Sequence, residues 1–347
     1  MTSRRFRLRT TAAILGASAL ALTGCSNSET DSTGAATSTA ATSAAAATQA
    51  AEASWPRTIS TPKGDVEIKE QPKRIVSTAV TLTGSLLTID APVIATGGAK
   101  ADTPLADSDG FFKQWAEVAH ERDVKPLYQL TPNAEAILAE QPDLVIMAAS
   151  GQDSAVDLYD QISAVVPTIV IDYSDKDWQE IATELGEATG LEANAEQAIA
   201  DYNKEIDAIK ADIALPEQPT SALVYNLKKA EYNIFTKDSA QGRLLTSLGF
   251  TVAEPDASLG NNAKEGKKRS DIVTVSGENL SQALNGESVV IIAGDEKNVT
   301  ALKENPTLAE APYVTGDRVY DAGLDSFRLD SYSSIDMARR LQEQLAK

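Results

Sequence analysis

Short runs of apolar residues alternate along the chain with longer segments in which apolar residues recur every three or four positions. The clearest runs are RIVSTAV at 74–80, DLVIMA at 143–148, PTIVID at 167–172 and ESVVIIA at 287–293. Each run is continuous, which is typical of a parallel strand that is buried on both faces. The intervening segments predict helices, so the pattern predicts an α/β fold with helices covering both faces of parallel sheets.

One long amphipathic helix is predicted near the middle of this pattern, over residues 192–215. Its apolar positions fall on one stripe of an otherwise charged surface: Ala195, Ile199, Tyr202, Ile206, Ile209 and Ile213. Pro216 removes a backbone donor and restricts the residue before it, which predicts the end of the helix.

Strand and helix patterns lie on both sides of this helix. We therefore expect two Rossmann-like α/β lobes with parallel central sheets, at 55–190 and 216–347, joined by a single helix over 191–215. An alternating pattern around Pro62 to Gly64 predicts a β-hairpin at the start of the first lobe. A glycine-, asparagine- and lysine-rich stretch at 256–269 predicts a mobile loop.

The N-terminal residues have the features of an export signal. Residues 1–24 combine four arginines with a small, apolar run that is short for a membrane span, and they end in Leu22-Thr23-Gly24 before Cys25. This ending resembles a bacterial lipobox, which predicts lipidation of Cys25; an ordinary signal peptide is the alternative. Residues 25–54 predict a disordered serine-, threonine- and alanine-rich tether. We expect the folded part to be anchored at the outer face of the cytoplasmic membrane.

Composition argues against several kinds of function. The net charge of −19 provides no basic surface for nucleic acid. The single histidine, His120, is interpreted as a surface residue, and Cys25 is the single cysteine, so a protein-held transition metal is not expected. No nucleophile or phosphate-binding motif indicates an enzyme or a bound cofactor.

Several stretches resemble the siderophore-binding components of ABC importers, in particular those for ferric catecholates of the enterobactin type. They are RIVSTAVTLTGSLLTIDAPVIATG (74–97), LYQLTPNAEAILAEQPDLVIMAASGQDSAVDLYDQ (127–161), FTKDSAQGRLLTSLGF (235–250), SGENLSQALNGES (276–288) and DSFRLDSYSS (325–334). The resemblance implies a monomeric binding protein that captures a ferric siderophore between its lobes and delivers it to a permease. Another iron chelate, such as a hydroxamate or haem, and a non-transport envelope lipoprotein are the alternatives.

A ferric catecholate brings its own iron ligands, so its binding protein needs cationic and aromatic side chains. The F-R-L-D match implies Arg328 as the main cation, although an ion pair to Asp325 or Asp330 is an alternative. Phe235 matches an aromatic position, with core packing as its alternative. The other candidates are Lys100, Lys228, Tyr232 and Arg243, with Lys229, Lys264, Lys267, Lys268 and Arg269 as further sources of charge.

One position departs from the family's pattern in the first lobe, and another matches a position at which the family docks to its permease. Pro104 stands where a relative offers an arginine, which leaves the anchor of the first lobe open. The resemblance implies that Glu135 pairs with a permease arginine, and an exposed helix charge is the alternative. The second docking acid is expected within 239–248, where the sequence offers Arg243 instead.

Overall fold

The computed structural model describes residues 54–174, 176–260 and 270–347, which fall within one compact unit of the chain. The predicted signal segment, Cys25 and the tether up to residue 53 lie outside the described residues. So do the lysines and the arginine of the predicted loop, because its residues 261–269 are not described.

The first lobe begins with the predicted hairpin, in which β1 (Arg57–Thr61) pairs antiparallel with β2 (Gly64–Ile68). Its sheet contains β3 (Ile75–Ser77), β4 (Val93–Gly98), β5 (Lys125–Gln129), β6 (Leu144–Ala148) and β7 (Thr168–Ile171). The strand order is β5-β4-β3-β6-β7, and all neighbours are parallel, as predicted. The order reverses between β3 and β6, and the carboxyl ends of strands at such a point form a ligand-binding crevice.

The helices of this lobe are α1 (Val80–Thr88), α2 (Lys113–Glu121), α3 (Ala134–Ala139), α4 (Tyr159–Ser163) and α5 (Trp178–Thr189). Helix α5 has clear signals at both ends. Asp177 and Glu180 form a capping box at its start, and Gly190 takes the left-handed conformation after its last residue.

The long helix, α6, spans Glu192–Asp212 and therefore ends three residues before the predicted Leu215. Ile213 is already extended, and it forms a β-bridge with Ala346 near the C-terminus. This tertiary pairing ends the helix before Pro216 does. At about 1.5 Å per residue, α6 is roughly 31 Å long.

The second lobe contains β8 (Thr220–Val224), β9 (Glu231–Phe235), β10 (Ile272–Ser276), β11 (Ser288–Ile291) and β12 (Val319–Asp321). Its helices are α7 (Ala240–Ser247), α8 (Leu280–Ala283), α9 (Glu296–Lys303), α10 (Pro312–Thr315) and α11 (Ser331–Gln344).

The second sheet is mixed, whereas the sequence predicts a parallel one. Its order is β10-β9-β8-β11-β12, and β9 runs antiparallel to both of its neighbours. Only six residues, 225–230, connect β8 to β9, and so short a connection can join only antiparallel strands. Strands β8, β11 and β12 are parallel, so the reversal of order again lies next to the first strand of the lobe.

The buried stripe of α6 connects the two lobes. Ala195, Tyr202, Ile206 and Ile209 are buried, and α6 packs against α5 of the first lobe and α11 of the second. Trp178 of α5 meets Tyr202 edge to face, with ring centroids 4.8 Å apart. One continuous buried cluster includes side chains from both lobes and α6. The two-lobed α/β fold with a single connecting helix is confirmed. No helix of the described segments is both long and apolar enough to traverse a bilayer.

Candidate ligand-binding cleft

A cavity of about 500 Å³ lies between the lobes, at the carboxyl ends of the central strands. The first lobe lines it with residues that follow β3, β4 and β6, and the second lobe with the loop that follows β12. We call this cavity the cleft. Its position matches the crevice expected from the strand order of each lobe.

Gly97 and Tyr128 shape the wall of the cleft in the first lobe. A Cβ atom at Gly97 would lie 2.7 Å from the backbone oxygen of Thr78 and 2.7 Å from the Tyr128 ring, so glycine permits the ring to lie close to β4. The Tyr128 hydroxyl donates to the Thr78 carbonyl oxygen at 3.0 Å. Burial, together with the negative charge of Asp153, raises the pKa of Tyr128 above its ordinary value. Tyr128 therefore presents a neutral aromatic face to the cleft.

Exposed apolar side chains surround the mouth of the cleft. Leu105, Leu130, Leu324 and Phe327 line it and are 36 to 55% exposed. Phe112 contributes another aromatic wall. Apolar surface that faces solvent in this way marks a binding site for a ligand with apolar or aromatic faces.

Arg328 reaches across the cleft from the second lobe to the first. Its Nη1 donates to Thr81 Oγ1 at 2.8 Å and lies 3.5 Å from Asp153 Oδ1. The ion-pair partner of Arg328 is therefore Asp153, and not Asp325 or Asp330, the two partners considered from the sequence. Asp153 Oδ2 accepts the backbone N–H of Thr81 at 3.0 Å, and Tyr173 donates to Asp153 Oδ1 at 3.3 Å. Burial and the negative charge of Asp153 raise the pKa of Tyr173 to about 12.

Among the described residues that line the cleft, Arg328 is the one cation, and Asp153 and Asp325 are anions. Burial raises the pKa of Asp325 above its ordinary value. Within the described residues, no group of three or more histidine, cysteine and acidic side chains is arranged to hold a metal ion. What the cleft offers is one guanidinium surrounded by aromatic and aliphatic walls.

The other predicted ligand residues lie behind or outside this lining. Phe235 is 2% exposed and packs edge to face against Phe327, with ring centroids 6.3 Å apart, so it supports the wall from behind. Tyr232 is buried and stacks on Tyr225 in a separate core cluster. Lys100 and Lys228 are exposed in loops, after β4 and β8 respectively, and do not line the cleft.

Arg243 links the lobes at another place. Its Nη1 lies 2.8 Å from Glu180 Oε2 and 3.2 Å from Asp177 Oδ2, which joins α7 to the start of α5. Arg243 is not among the lining residues of the cleft. His120 is exposed, as predicted, and its Nε2 lies 2.7 Å from Asp107 Oδ2.

Sequence reasoning missed Asp153, Thr81 and Tyr128. Asp153 lies in the loop that follows the predicted strand at 143–148, and side chains after a parallel strand of such a sheet face the crevice. That rule, applied to each predicted strand, could have found Asp153. Tyr128 had no comparable signal, because β5 was not predicted as a strand.

Comparison with known proteins agrees with this geometry. The sequence pattern of the family described as "Periplasmic binding protein" matches residues 75–325. The chain belongs to the periplasmic binding protein family. Proteins of this family bind solutes.

Individual relatives extend the comparison. The chain is 48% identical over 288 residues to the ferric enterobactin-binding periplasmic protein FepB of Escherichia coli O6:H1, covering 83% of this chain and 90% of that protein. It is 28% identical over 204 residues to the iron(3+)-hydroxamate-binding protein YxeB of Bacillus subtilis, covering 57% of each. The solved structure of holo-ViuP superposes with a TM-score of 0.77 at 34% identity, covering 85% of this chain and 96% of that one.

Proposed function

We propose that this binding protein captures a ferric catecholate siderophore in the cleft and delivers it to an ABC permease for iron uptake. The observation that carries the proposal is Arg328, which points into a cleft walled by Phe112, Tyr128 and Phe327. The 48% identity to FepB supports the same ligand class.

The chemistry of the cleft suits a ligand that supplies all of the iron's donor atoms. A catecholate chelate offers phenolate oxygens, which a guanidinium binds through charge-assisted hydrogen bonds. It also offers aromatic faces, which pack against aromatic side chains. We propose no catalytic step and no resident cofactor, and iron enters only as part of the chelate.

A hydroxamate chelate is the second candidate, and a specific observation favours it. The described lining contains Asp153 and Asp325 beside the single cation Arg328, which suits a ligand of low negative charge. One relative of this chain, YxeB, is named as an iron(3+)-hydroxamate-binding protein. The lower identity and shorter coverage of that relative place this candidate second.

Delivery to a permease would use an acidic residue on each lobe. Glu135 is exposed in the first turn of α3, the helix that precedes β6. Strand β11 occupies the corresponding place in the second sheet, and exposed Glu278 lies in the short 3₁₀ turn, Gly277–Asn279, that leads into α8 before β11. We therefore propose Glu135 and Glu278 as the docking pair, in place of an acid within 239–248.

We further propose that lipidated Cys25 anchors the protein at the outer face of the cytoplasmic membrane, with residues 25–54 as a tether. The support for this part is the sequence alone, in the Leu22-Thr23-Gly24-Cys25 ending of the apolar run. Such a tether would let a monomer move between free ligand and the permease while staying near the membrane.

A titration with a panel of iron chelates tests the ligand. Trp115 is buried and packs against Phe112, with ring centroids 6.1 Å apart, so tryptophan fluorescence should report occupancy of the cleft. We expect saturable quenching by ferric triscatecholates and little response to ferric hydroxamates or haem. Saturation by hydroxamates or haem but not by catecholates would refute the proposed ligand.

A further inference from the structure

Arg328 is the cation that an anionic ligand would bind, and its guanidinium is already paired with a carboxylate of the protein, that of Asp153. Arg328 comes from the loop before α11 in the second lobe, and Asp153 from the loop after β6 in the first. The two charges face each other across the cleft, and both residues line it. Their side chains are 29% and 12% exposed, so water screens this contact less than it would a surface pair.

Asp153 is held firmly in this position. Ala79, at the start of α1, has no side chain that can accept a first-turn N–H, and Asp153 Oδ2 accepts that of Thr81 instead. The positive end of α1 stabilises a negative charge there. The Tyr173 hydroxyl shares its one proton between the other carboxylate oxygen, at 3.3 Å, and the Ser150 carbonyl oxygen, at 3.1 Å. The carboxylate therefore cannot swing away without leaving the Thr81 N–H without its acceptor.

An anionic chelate in the cleft must share Arg328 with this carboxylate. The repulsion between Asp153 and the chelate grows with the negative charge of the chelate, because the interaction is the product of the two charges. Like charges placed together at a binding surface reject a ligand even when its shape fits.

We propose that Asp153 is a specificity-determining residue that selects iron chelates by their charge. It pairs with Arg328 and disfavours a chelate in proportion to that chelate's negative charge. This inference rests on the proposed binding of ferric catecholates. It names a narrower ligand class, namely ferric catecholates in which a cationic group offsets part of the charge of the trianionic core.

The test compares two chelates with the same ferric triscatecholate core, one a plain trianion and the other carrying one ammonium arm. Dissociation constants are measured by fluorescence titration for the full chain and for Asp153→Asn. The amide keeps an oxygen that can accept the Thr81 N–H but has no charge. We expect Asp153→Asn to bind the trianion about tenfold more tightly, which corresponds to about 1.4 kcal/mol. We expect a smaller gain, about fivefold, for the chelate with the ammonium arm, because that arm leaves two-thirds of the negative charge of the trianion.

Asp325→Asn is the matched control, because Asp325 lines the same cleft but is not paired with Arg328. We expect it to change the affinity for the trianion less than Asp153→Asn does. Equal gains from the two variants would assign the effect to general electrostatics and overturn the specific role of Asp153. Equal gains for the two chelates, unchanged affinity or weaker binding would also overturn it.

Two further measurements keep the test decisive. If Asp153→Asn does not fold, Asp153→Ser removes the charge while leaving a hydroxyl acceptor, and the same outcomes apply. If the unsubstituted protein binds neither catecholate, the proposed function fails. If it binds both and Asp153→Asn shows no charge-dependent gain, only the role of Asp153 fails.

Discussion

The buried carboxyl group of Asp330 should make the stability of the protein depend on pH. Asp330 is 3% exposed and caps the start of α11, where its Oδ1 accepts the Ser333 N–H at 2.8 Å. Its Oδ2 accepts from Gln114 Nε2 of the first lobe at 3.4 Å, and a Cβ at Gly84 of α1 would collide with it. Asp330 therefore lies in the contact between the lobes, close behind the cleft.

Burial raises the pKa of Asp330 from 3.8 to about 6. The folded protein then holds this proton more tightly than the unfolded chain does, so Asp330 favours folding most below about pH 4. This contribution falls as the pH rises from about 4 to about 6 and is constant above that. A shift of roughly two pKa units corresponds to about 3 kcal/mol.

Asp330→Asn should remove this dependence, because asparagine caps a helix about as well as aspartate but does not ionise. We expect the difference in free energy of unfolding, variant minus unsubstituted protein, to rise by about 3 kcal/mol between pH 4 and pH 7.5. Urea denaturation at a series of pH values measures it, and the other carboxyl groups cancel in the difference.

Asp317→Asn is a suitable control, since Lys303 lowers the pKa of this exposed carboxyl. For Asp317→Asn, the difference in free energy of unfolding, variant minus unsubstituted protein, should fall slightly as the pH rises, which is opposite in sign to the change for Asp330→Asn. If Asp330→Asn and the unsubstituted protein show parallel stability curves from pH 4 to pH 7.5, the reasoning about Asp330 is wrong.

Three further changes test the proposed ligand, anchor and permease contact. Arg328→Ala should weaken binding of a ferric catecholate by about 1 to 3 kcal/mol, the usual worth of a charge-assisted hydrogen bond; unchanged affinity in a titration would exclude Arg328 from the site. Cys25→Ser should move the protein from the membrane fraction to the soluble fraction of fractionated cells, and retention in the membrane would contradict the lipid anchor. Glu135→Lys combined with Glu278→Lys should reduce uptake of labelled ferric catecholate by cells while the isolated protein keeps its affinity. Normal uptake by this double variant would count against the docking pair.

Much of the fold follows from local sequence pattern. The strands β6, β7 and β11 are continuous apolar runs, which few other structures would accommodate. Strand β5 was missed because it carries Pro126 and is an edge strand with exposed or half-buried residues throughout. Strand β10, Ile272–Ser276, was not predicted either, although its sequence carries a signal: it is rich in β-branched residues, and the strand is largely buried. The prediction of a parallel second sheet failed because the pairing direction of β9 depends on a short connection and not on its own residues.

The site was harder to predict than the fold, because its contacts join the two lobes. The F-R-L-D stretch predicts Arg328 as the main cation of the site, and the structure shows that Arg328 lines the cleft. The sequence could not show that Asp153 of the other lobe, instead of Asp325 or Asp330, meets its guanidinium, since that contact depends on how the lobes pack. Arg243 was predicted as a ligand residue but lies outside the lining of the cleft, for the same reason. Its acidic partners are at the start of α5 in the opposite lobe.

Helix α6 belongs to a larger set of contacts that hold the lobes at a fixed spacing. Its buried stripe packs on both α5 and α11, and the ion pairs of Arg243 and Arg328 and the hydrogen bond from Gln114 to Asp330 cross between the lobes at three other places. A wide opening would expose part of the shared core and break these contacts together, whereas hinged closure in other proteins uses a few loop residues. The ligand must therefore fit a cleft whose width is set largely in advance. Changes of side chains and loops at the mouth, near Leu105, Leu130 and Phe327, are then the least costly way to admit it.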